Sequence, residues 1–165
     1  MDILEVIKTR RSIRKYKKDS PKDLDIEKIL EAARWAPSGL NNQPWRFMVI
    51  KDKETKDRLA QFTKYGYIIK SAPVIIVVCL DKESSYHYQK DLMAVGACIQ
   101  NMLLEAHSLD LGTCWLGEIL NKKEDVEKFL NLKENLELTA VISLGYPDEK
   151  ALEVKRKSLK ELKIN

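Results

Sequence analysis

Residues 36–50, Ala-Pro-Ser-Gly-Leu-Asn-Asn-Gln-Pro-Trp-Arg-Phe-Met-Val-Ile, join a helix end, a polar loop and a strand in direct succession. Pro37-Ser-Gly39 is predicted to end the helix, because proline and glycine do not continue one. Arg46–Ile50 is predicted to be a strand. Between them lie three amide side chains that offer both donors and acceptors, as the edge of a heterocyclic ligand requires: Asn41, Asn42 and Gln43. An ordinary turn that caps the helix is the alternative interpretation of this loop.

Helices and strands are predicted on both sides of this stretch. The predicted helices are Asp2–Lys8, a helix capped by Asp25 with apolar residues at i, i+3, i+4 and i+7, Glu54–Phe62, Asp91–Ser108 and Lys123–Leu130. The further predicted strands are residues 73–80, residues 112–117 (a short strand or loop) and Leu138–Leu144. Residues 73–80 are apolar at both odd and even positions, which indicates burial on both faces of a sheet. Residues 91–108 are apolar or small almost all round, which indicates a core or a subunit interface.

Composition is typical of one globular domain. The chain has 165 residues, of which 44% are hydrophobic, and this fraction excludes global disorder. Its longest apolar run, residues 73–80, is far shorter than the roughly 20 residues of a membrane span. Because no signal-peptide pattern occurs either, we expect a cytoplasmic protein without membrane contact. No cysteine pair has metal-ligand spacing, so we expect no metal site and three buried, inert thiols: Cys79, Cys98 and Cys114.

Charge is concentrated at the two ends of the chain. Residues 1–18 carry +5 and residues 150–165 carry +4, whereas the middle carries −5. This distribution favours a localised anion site over a basic face for nucleic acid, and a low aromatic content of 7% argues in the same direction. A solvated surface is the alternative interpretation of both basic ends.

The basic segment, residues 10–16, reads Arg-Arg-Ser-Ile-Arg-Lys-Tyr. In an extended conformation Arg10, Ser12 and Arg14 share one face, and Arg11 lies on the other. Guanidinium groups bind phosphate through paired hydrogen bonds, and a serine hydroxyl adds another. The chain has no glycine-rich dinucleotide motif and no P-loop, so an anion would be held by side-chain cations.

Together these segments resemble the nitroreductase family of FMN-dependent flavoproteins. The pattern R-R-S-x-R-x-[FY] precedes P-S-x-x-N-x-Q-P-W, and four further blocks follow in the family's order: Gly96–His107, Leu111–Gly117, Leu144–Pro147 and Lys155–Leu159. The resemblance implies an α+β nitroreductase-like fold with a central, mainly antiparallel sheet of four to five strands flanked by helices. It also implies one domain over residues 1–165, an intertwined homodimer, and a C-terminal tail (about residues 148–165) that reaches the partner subunit.

The resemblance further implies which residues contact FMN: Arg10, Arg11, Ser12 and Arg14; Pro37, Ser38, Asn41 and Gln43; Leu116 and Gly117; and Arg156 with Lys155 or Lys157. Pro37-Ser38 would come from the other subunit. Both basic ends would then meet at one phosphate. This chain departs from the family pattern at Lys64, where an asparagine is common, at Ser158, where a proline is common, and in its short 81–90 connection.

The implied activity is transfer of hydride from NADH or NADPH through flavin N5 to a small acceptor, such as a nitroaromatic or a quinone, by a ping-pong cycle. Since the flavin carries the chemistry, no side chain is assigned as a catalytic residue. Three alternatives stay open: a storage or sensor module that binds FMN without turnover, a reductive dehalogenase of the same fold, and a flavin-fragmenting enzyme.

Overall fold

A computed structural model describes residues 2–164 of the chain. In chain order the elements are α1 (Ile3–Thr9), α2 (Asp23–Arg34), β1 (Trp45–Ile50), α3 (Lys53–Leu59), α4 (Gly66–Ser71), β2 (Val74–Asp81), α5 (Tyr88–Ser108), β3 (Gly112–Trp115), α6 (Lys123–Phe129), β4 (Leu136–Gly145) and α7 (Leu159–Leu162). Three short 3₁₀ helices lie between them, at Gly39–Asn41, Ala60–Phe62 and Glu118–Lys122. The result is an α+β fold.

The sheet has four strands in the order β1-β2-β4-β3, and every neighbouring pair is antiparallel. A single parallel bridge between Ser12 and Thr113 places the basic segment beyond β3, at the sheet edge. The predicted antiparallel sheet of four to five strands is therefore confirmed.

Strand β2 is buried along its whole length, as its apolar sequence predicts. Its alternate residues face two separate cores because successive side chains point to opposite faces of a sheet. Ile76, Val78 and Leu80 pack in the first core, with α2 and α5. The opposite residues, Ile75, Val77 and Cys79, pack in the second core, with α3, α4 and α6.

The 21-residue helix α5 supplies the largest helical contribution to the first core. Its buried apolar residues are Ala94, Val95, Cys98, Ile99, Met102, Leu103 and Ala106. Helix α2 lies against it, and Asn101 Nδ2 donates to the Ala32 carbonyl at 3.1 Å. This packing confirms that the all-round apolar segment occupies a core.

Several sequence-based boundaries are wrong. The helix expected to be capped by Asp25, and so to begin at Ile26, begins three residues earlier, at Asp23, and its N-cap Lys22 forms no side-chain cap. Helix α5 begins at Tyr88 rather than Asp91 because the 85–87 segment turns directly into it. Helix α4 was not predicted. It is only six residues long, and Ile68 and Ile69 within it are held by packing in the second core.

All three cysteines are free and buried. Burial raises the pKa of the Cys79 and Cys98 thiols to about 12, and it also raises the pKa of Cys114. Since the thiolate is the reactive form, these groups are unreactive at neutral pH. The expectation that the three thiols are buried is confirmed, and their inertness remains a prediction that follows from this burial.

The tail extends from the sheet without packing on it. Every described residue from 151 to 164 is exposed, including the apolar side chains of Leu152, Leu159 and Leu162. Ser158 caps α7: its N–H donates to the Glu161 carboxylate at 2.8 Å, and its hydroxyl accepts from the Glu161 N–H at 3.4 Å. This capping role accounts for serine at the position where the family often has proline. None of the helices within residues 2–164 is long and apolar enough to cross a bilayer.

Candidate functional site

The basic segment is fixed to the sheet through its backbone. The Ile13 N–H donates to the Thr113 carbonyl at 2.9 Å, and Tyr16 forms an antiparallel bridge with Pro147. The Arg14 N–H donates to the Glu149 carboxylate at 2.5 Å. The segment is therefore extended, as predicted, and it joins the start of the chain to β3 and to the start of the tail.

Tyr16 anchors the end of this segment in the second core. Its hydroxyl donates to the Ile13 carbonyl and contacts Ser143 Oγ at 2.7 Å. Burial raises the pKa of this phenol above its ordinary value. The aromatic residue of the R-R-S-x-R-x-[FY] pattern thus has a structural role here, and it fixes the direction of the arginines that precede it.

The arginines of the segment have different environments. Arg10 is half-buried, and burial, followed by the charges of Arg11 and Arg156, lowers the pKa of its guanidinium. The charge of Arg156 thus acts on Arg10, which supports the meeting of the two basic ends that the family resemblance implies. Arg11 instead turns back towards α1, where its guanidinium donates to the carbonyls of Lys8 (2.6 Å) and Arg10 (2.7 Å).

Gly112 lets the basic segment approach β3 closely. A Cβ on this residue would lie 2.8 Å from the Cβ and Cγ1 atoms of Ile13. We expect Gly112→Ala to displace the segment, to destabilise the fold by about 1–3 kcal/mol and to weaken binding of any ligand held by Arg10 and Ser12. Urea denaturation and a ligand titration measure the two effects.

Ile29→Val is a suitable control for Gly112→Ala. Ile29 is fully buried in the first core, away from Ile13, and its shortening is expected to cost about 0.5–1.5 kcal/mol. Ligand affinity should survive Ile29→Val and fall in Gly112→Ala. Equal affinity in the two variants would contradict the assigned role of the segment.

A pocket lies beside the segment, on the side of the second core. The Arg14 pocket, as we call it, is lined by Arg14, Tyr65, Ile68, Cys114, Trp115, Leu116, Gly117 and Glu118. The Leu116 side chain is buried and its N–H donates to the Val141 carbonyl at 2.8 Å, which fixes the backbone that forms the pocket wall. A Cβ on Gly117 would meet no atom of residues 2–164 within 4 Å, so a flat ring could approach this backbone.

Five residues that line this pocket were not assigned as cofactor contacts from the sequence: Tyr65, Ile68, Cys114, Trp115 and Glu118. Trp115 is 43% exposed, whereas Cys114 is buried, and burial raises the pKa of its thiol. The Lys64 ammonium lies 5.3 Å from the centre of the Tyr65 ring. The only available signal for the two β3 residues was their place directly before Leu116-Gly117. The family resemblance had singled out position 64, where Lys64 replaces a common asparagine, but nothing in the sequence placed Tyr65 beside Arg14.

The amide loop, residues 37–44, has an unusual backbone. Leu40, Asn41 and Gln43 have φ angles of 55°, 54° and 47°, in the left-handed region that side chains disfavour. Ser38 stabilises the turn, since its Oγ accepts from the Gln43 N–H at 3.0 Å. Pro37, Asn41 and Gln43 are exposed, while Ser38 is half-buried.

Asn42 differs from the two amides beside it. Its Nδ2 donates to Asp91 Oδ1 at 2.8 Å and to the Ser84 carbonyl at 2.9 Å. The prediction that all three amides present their groups to a ligand is therefore wrong for Asn42, which is turned into the protein. Asn41 and Gln43 remain exposed.

The amide loop and the basic segment lie at opposite corners of the sheet. The loop leads into β1 at one edge, whereas Ser12 lies beyond β3 at the other. Four strand spacings give a lateral separation of about 19 Å. Trp45 is level with Leu80, and Thr113 is level with Val74. Because Leu80 and Val74 are six residues apart on β2, the two segments are also separated by about 20 Å along the strand direction. A single small ligand cannot contact both segments of one chain.

The comparisons with known proteins agree with this geometry. The model of the Nitroreductase family matches residues 7–65 and 63–146. A relative from Methanothermobacter thermautotrophicus, named as an NADH dehydrogenase/NAD(P)H nitroreductase, is 40% identical over 152 residues, covering 90% of this chain and 79% of its own length. One of the same name from Archaeoglobus fulgidus is 40% identical over 153 residues, covering 90% and 88%.

Solved structures give the same result. The crystal structure of a nitroreductase from Desulfovibrio desulfuricans in complex with FMN superposes with a TM-score of 0.96. It is 46% identical and covers 100% of this chain and 96% of its own. The family model, the relatives and this structure all cover most of the chain, and the chain therefore belongs to the nitroreductase family.

Proposed function

We propose that this protein is an FMN-dependent oxidoreductase that takes electrons from NADH or NADPH and reduces a small acceptor, such as a nitroaromatic or a quinone. The observation that carries the proposal is the Arg14 pocket, which has an open backbone at Gly117 and lies beside a basic segment whose Arg10 is affected by the charge of Arg156. Family membership and the relatives' names support the same activity.

The residues present fit the phosphate of FMN. Burial and the charges of Arg11 and Arg156 lower the pKa of the Arg10 guanidinium, and a phosphate dianion would offset the repulsion between these cations. Arg10 and Arg156 would hold the phosphate, with the exposed Lys157 beside them. Ser12 would donate one further hydrogen bond from the same face of the segment. Arg11 would contribute its charge at a distance, because its Nη1 already donates to two backbone carbonyls and holds the side chain turned towards α1.

The Arg14 pocket fits the flavin ring. Bound FMN would supply the hydride chemistry of the reaction. Arg14 is exposed at the pocket, where its positive charge would stabilise negative charge on the pyrimidine side of the ring. The backbone at Leu116-Gly117 would form one wall. Tyr65 and Trp115 would border the space in which a nicotinamide and then an acceptor stack, and successive use of one space would make the cycle ping-pong.

The site requires two chains. Because the amide loop lies at the opposite corner of the sheet, Pro37, Ser38, Asn41 and Gln43 would reach the flavin of a partner subunit rather than that of their own chain. The exposed leucines of the tail would pack on that partner. Two FMN sites in a homodimer follow from this arrangement, since a two-fold axis pairs each loop with the other chain's arginines.

An anaerobic absorption experiment tests the proposal. The purified protein, reconstituted with FMN, should have a flavin spectrum that bleaches when NADH or NADPH is added, and the faster donor identifies the preferred nucleotide. Added quinone or nitroaromatic should restore the spectrum. A flavin that neither donor reduces would contradict the oxidoreductase function and favour a storage or sensor module. Failure to bind FMN would contradict the cofactor assignment.

A further inference from the structure

Asp91 is a fully buried carboxylate in the first turn of α5. Its side chain is 0% exposed, and no ion pair formed within residues 2–164 includes it. Its oxygens accept four hydrogen bonds, from Asn42 Nδ2 (2.8 Å), Ser85 Oγ (2.6 Å) and the N–H groups of Tyr86 and His87 (both 3.0 Å). These donors and the helix dipole offset the cost of burying the charge, and they join three segments at one carboxylate.

Asn42 carries the connection from this carboxylate to the amide loop. Its Nδ2 is shared between Asp91 and the Ser84 carbonyl. Its Oδ1 is buried and has no hydrogen-bond partner among the described residues. The side chain therefore acts as an anchor rather than as a ligand contact. Its position between the exposed Asn41 and Gln43 means that this one residue fixes both.

A second contact holds the same loop from the outside. A Cβ on Gly39 would lie 2.0 Å from the Tyr86 hydroxyl, so the tyrosine side chain packs directly against the loop backbone. Between this contact and the Asn42 anchor, Leu40 has a left-handed backbone and is 85% exposed. A strained conformation of this kind persists only where the surroundings determine it. The 84–91 segment supplies those surroundings.

We propose that Asp91 and Asn42 are positioning residues for the flavin site: they hold the amide loop in its left-handed conformation, so that Ser38, Asn41 and Gln43 are preorganised to meet the cofactor. This inference rests on the proposed function. The two residues do not touch the cofactor themselves. Their effect is on its affinity, since a loop that must first be ordered binds more weakly.

Asn42→Leu tests the inference because leucine has a similar shape and cannot form the anchor. The substitution leaves Asp91 Oδ1 and the Ser84 carbonyl without the Nδ2 donor, so the thermal midpoint of the cofactor-free protein should fall as well. The dissociation constant for FMN, measured by flavin fluorescence quenching, should rise about tenfold. Amide hydrogen exchange at residues 38–43 should become faster without FMN. Asp91→Asn, a second variant, should weaken FMN binding at least as much and also lower the midpoint.

Lys56→Met is the control. Lys56 is also buried, at 9% exposure, but it donates to the Ala72 and Pro73 carbonyls, away from the amide loop. Lys56→Met should therefore lower the thermal midpoint and leave FMN affinity unchanged. The inference would be overturned if Asn42→Leu bound FMN with wild-type affinity and showed unchanged hydrogen exchange. It would also be overturned if Lys56→Met lost FMN affinity in the same proportion to its lost stability as Asn42→Leu does. An absence of FMN binding by the wild-type protein would instead overturn the proposed function.

Discussion

Arg14→Ala is expected to weaken FMN binding by about 10- to 150-fold, which corresponds to about 1.5–3 kcal/mol for one charge-assisted hydrogen bond. The guanidinium is exposed, and its Nη1 lies 3.5 Å from the Ser12 carbonyl, so its removal costs little within the chain. The backbone hydrogen bond from Arg14 to Glu149 is retained in the variant. Isothermal titration of the cofactor-free protein measures the change.

Lys15→Ala is the matched control for Arg14→Ala. Lys15 is exposed in the same extended segment, and alternation directs its side chain to the opposite face. Lys15→Ala removes the same unit of charge as Arg14→Ala, so any general electrostatic effect on an anionic ligand appears in both variants. Loss of affinity that is equal in the two would remove Arg14 from the site. Unchanged affinity in Arg14→Ala would do the same.

Complementation between two inactive variants is expected to have the second large effect. One chain carries Arg14→Ala, and the other carries Asn41→Ala with Gln43→Ala. If the loop of each chain serves the site of its partner, a mixed dimer contains one intact site and one site with both defects. Its NAD(P)H-dependent activity should then be about half that of the wild-type dimer, although each parent dimer has little.

Differently tagged chains, co-expressed and purified through both tags, supply the mixed dimer for this measurement. The two parent dimers, purified in the same way, are the controls. If the loop and Arg14 served the site of the same chain, each site of the mixed dimer would carry one defect and activity would stay at the parental level. A monomer that retains tightly bound FMN would also contradict the shared site.

Local patterns in the sequence were sufficient for most of the fold. Residues 73–80 are apolar at odd and even positions, which predicted a strand buried on both faces, and β2 is such a strand. The small and apolar residues of 91–108 predicted a core helix, which is α5. These predictions succeed because helix and strand repeats are properties of a few adjacent residues. Short elements such as α4 have no such repeat, and packing decides them.

The candidate site was predicted less completely. Two of its features follow from the sequence: alternation puts Arg10, Ser12 and Arg14 on one face of an extended segment, and the family resemblance implies that the two basic ends meet. The different orientations of neighbouring residues do not. Arg11 turns back to the carbonyls at the end of α1, and Asn42 turns inward to Asp91, because each finds partners that lie outside its own local pattern.

The sequence by itself determined the family, the buried central strand, the long core helix and the concentration of cations at the two ends of the chain. Only the tertiary structure decided that the amide loop and the basic segment lie at opposite corners of one sheet, and that Asp91 and Asn42 fix the loop between them. The physical reason is that periodicity is set by adjacent residues. Sheet order and buried polar contacts instead depend on pairing between segments that are distant along the chain.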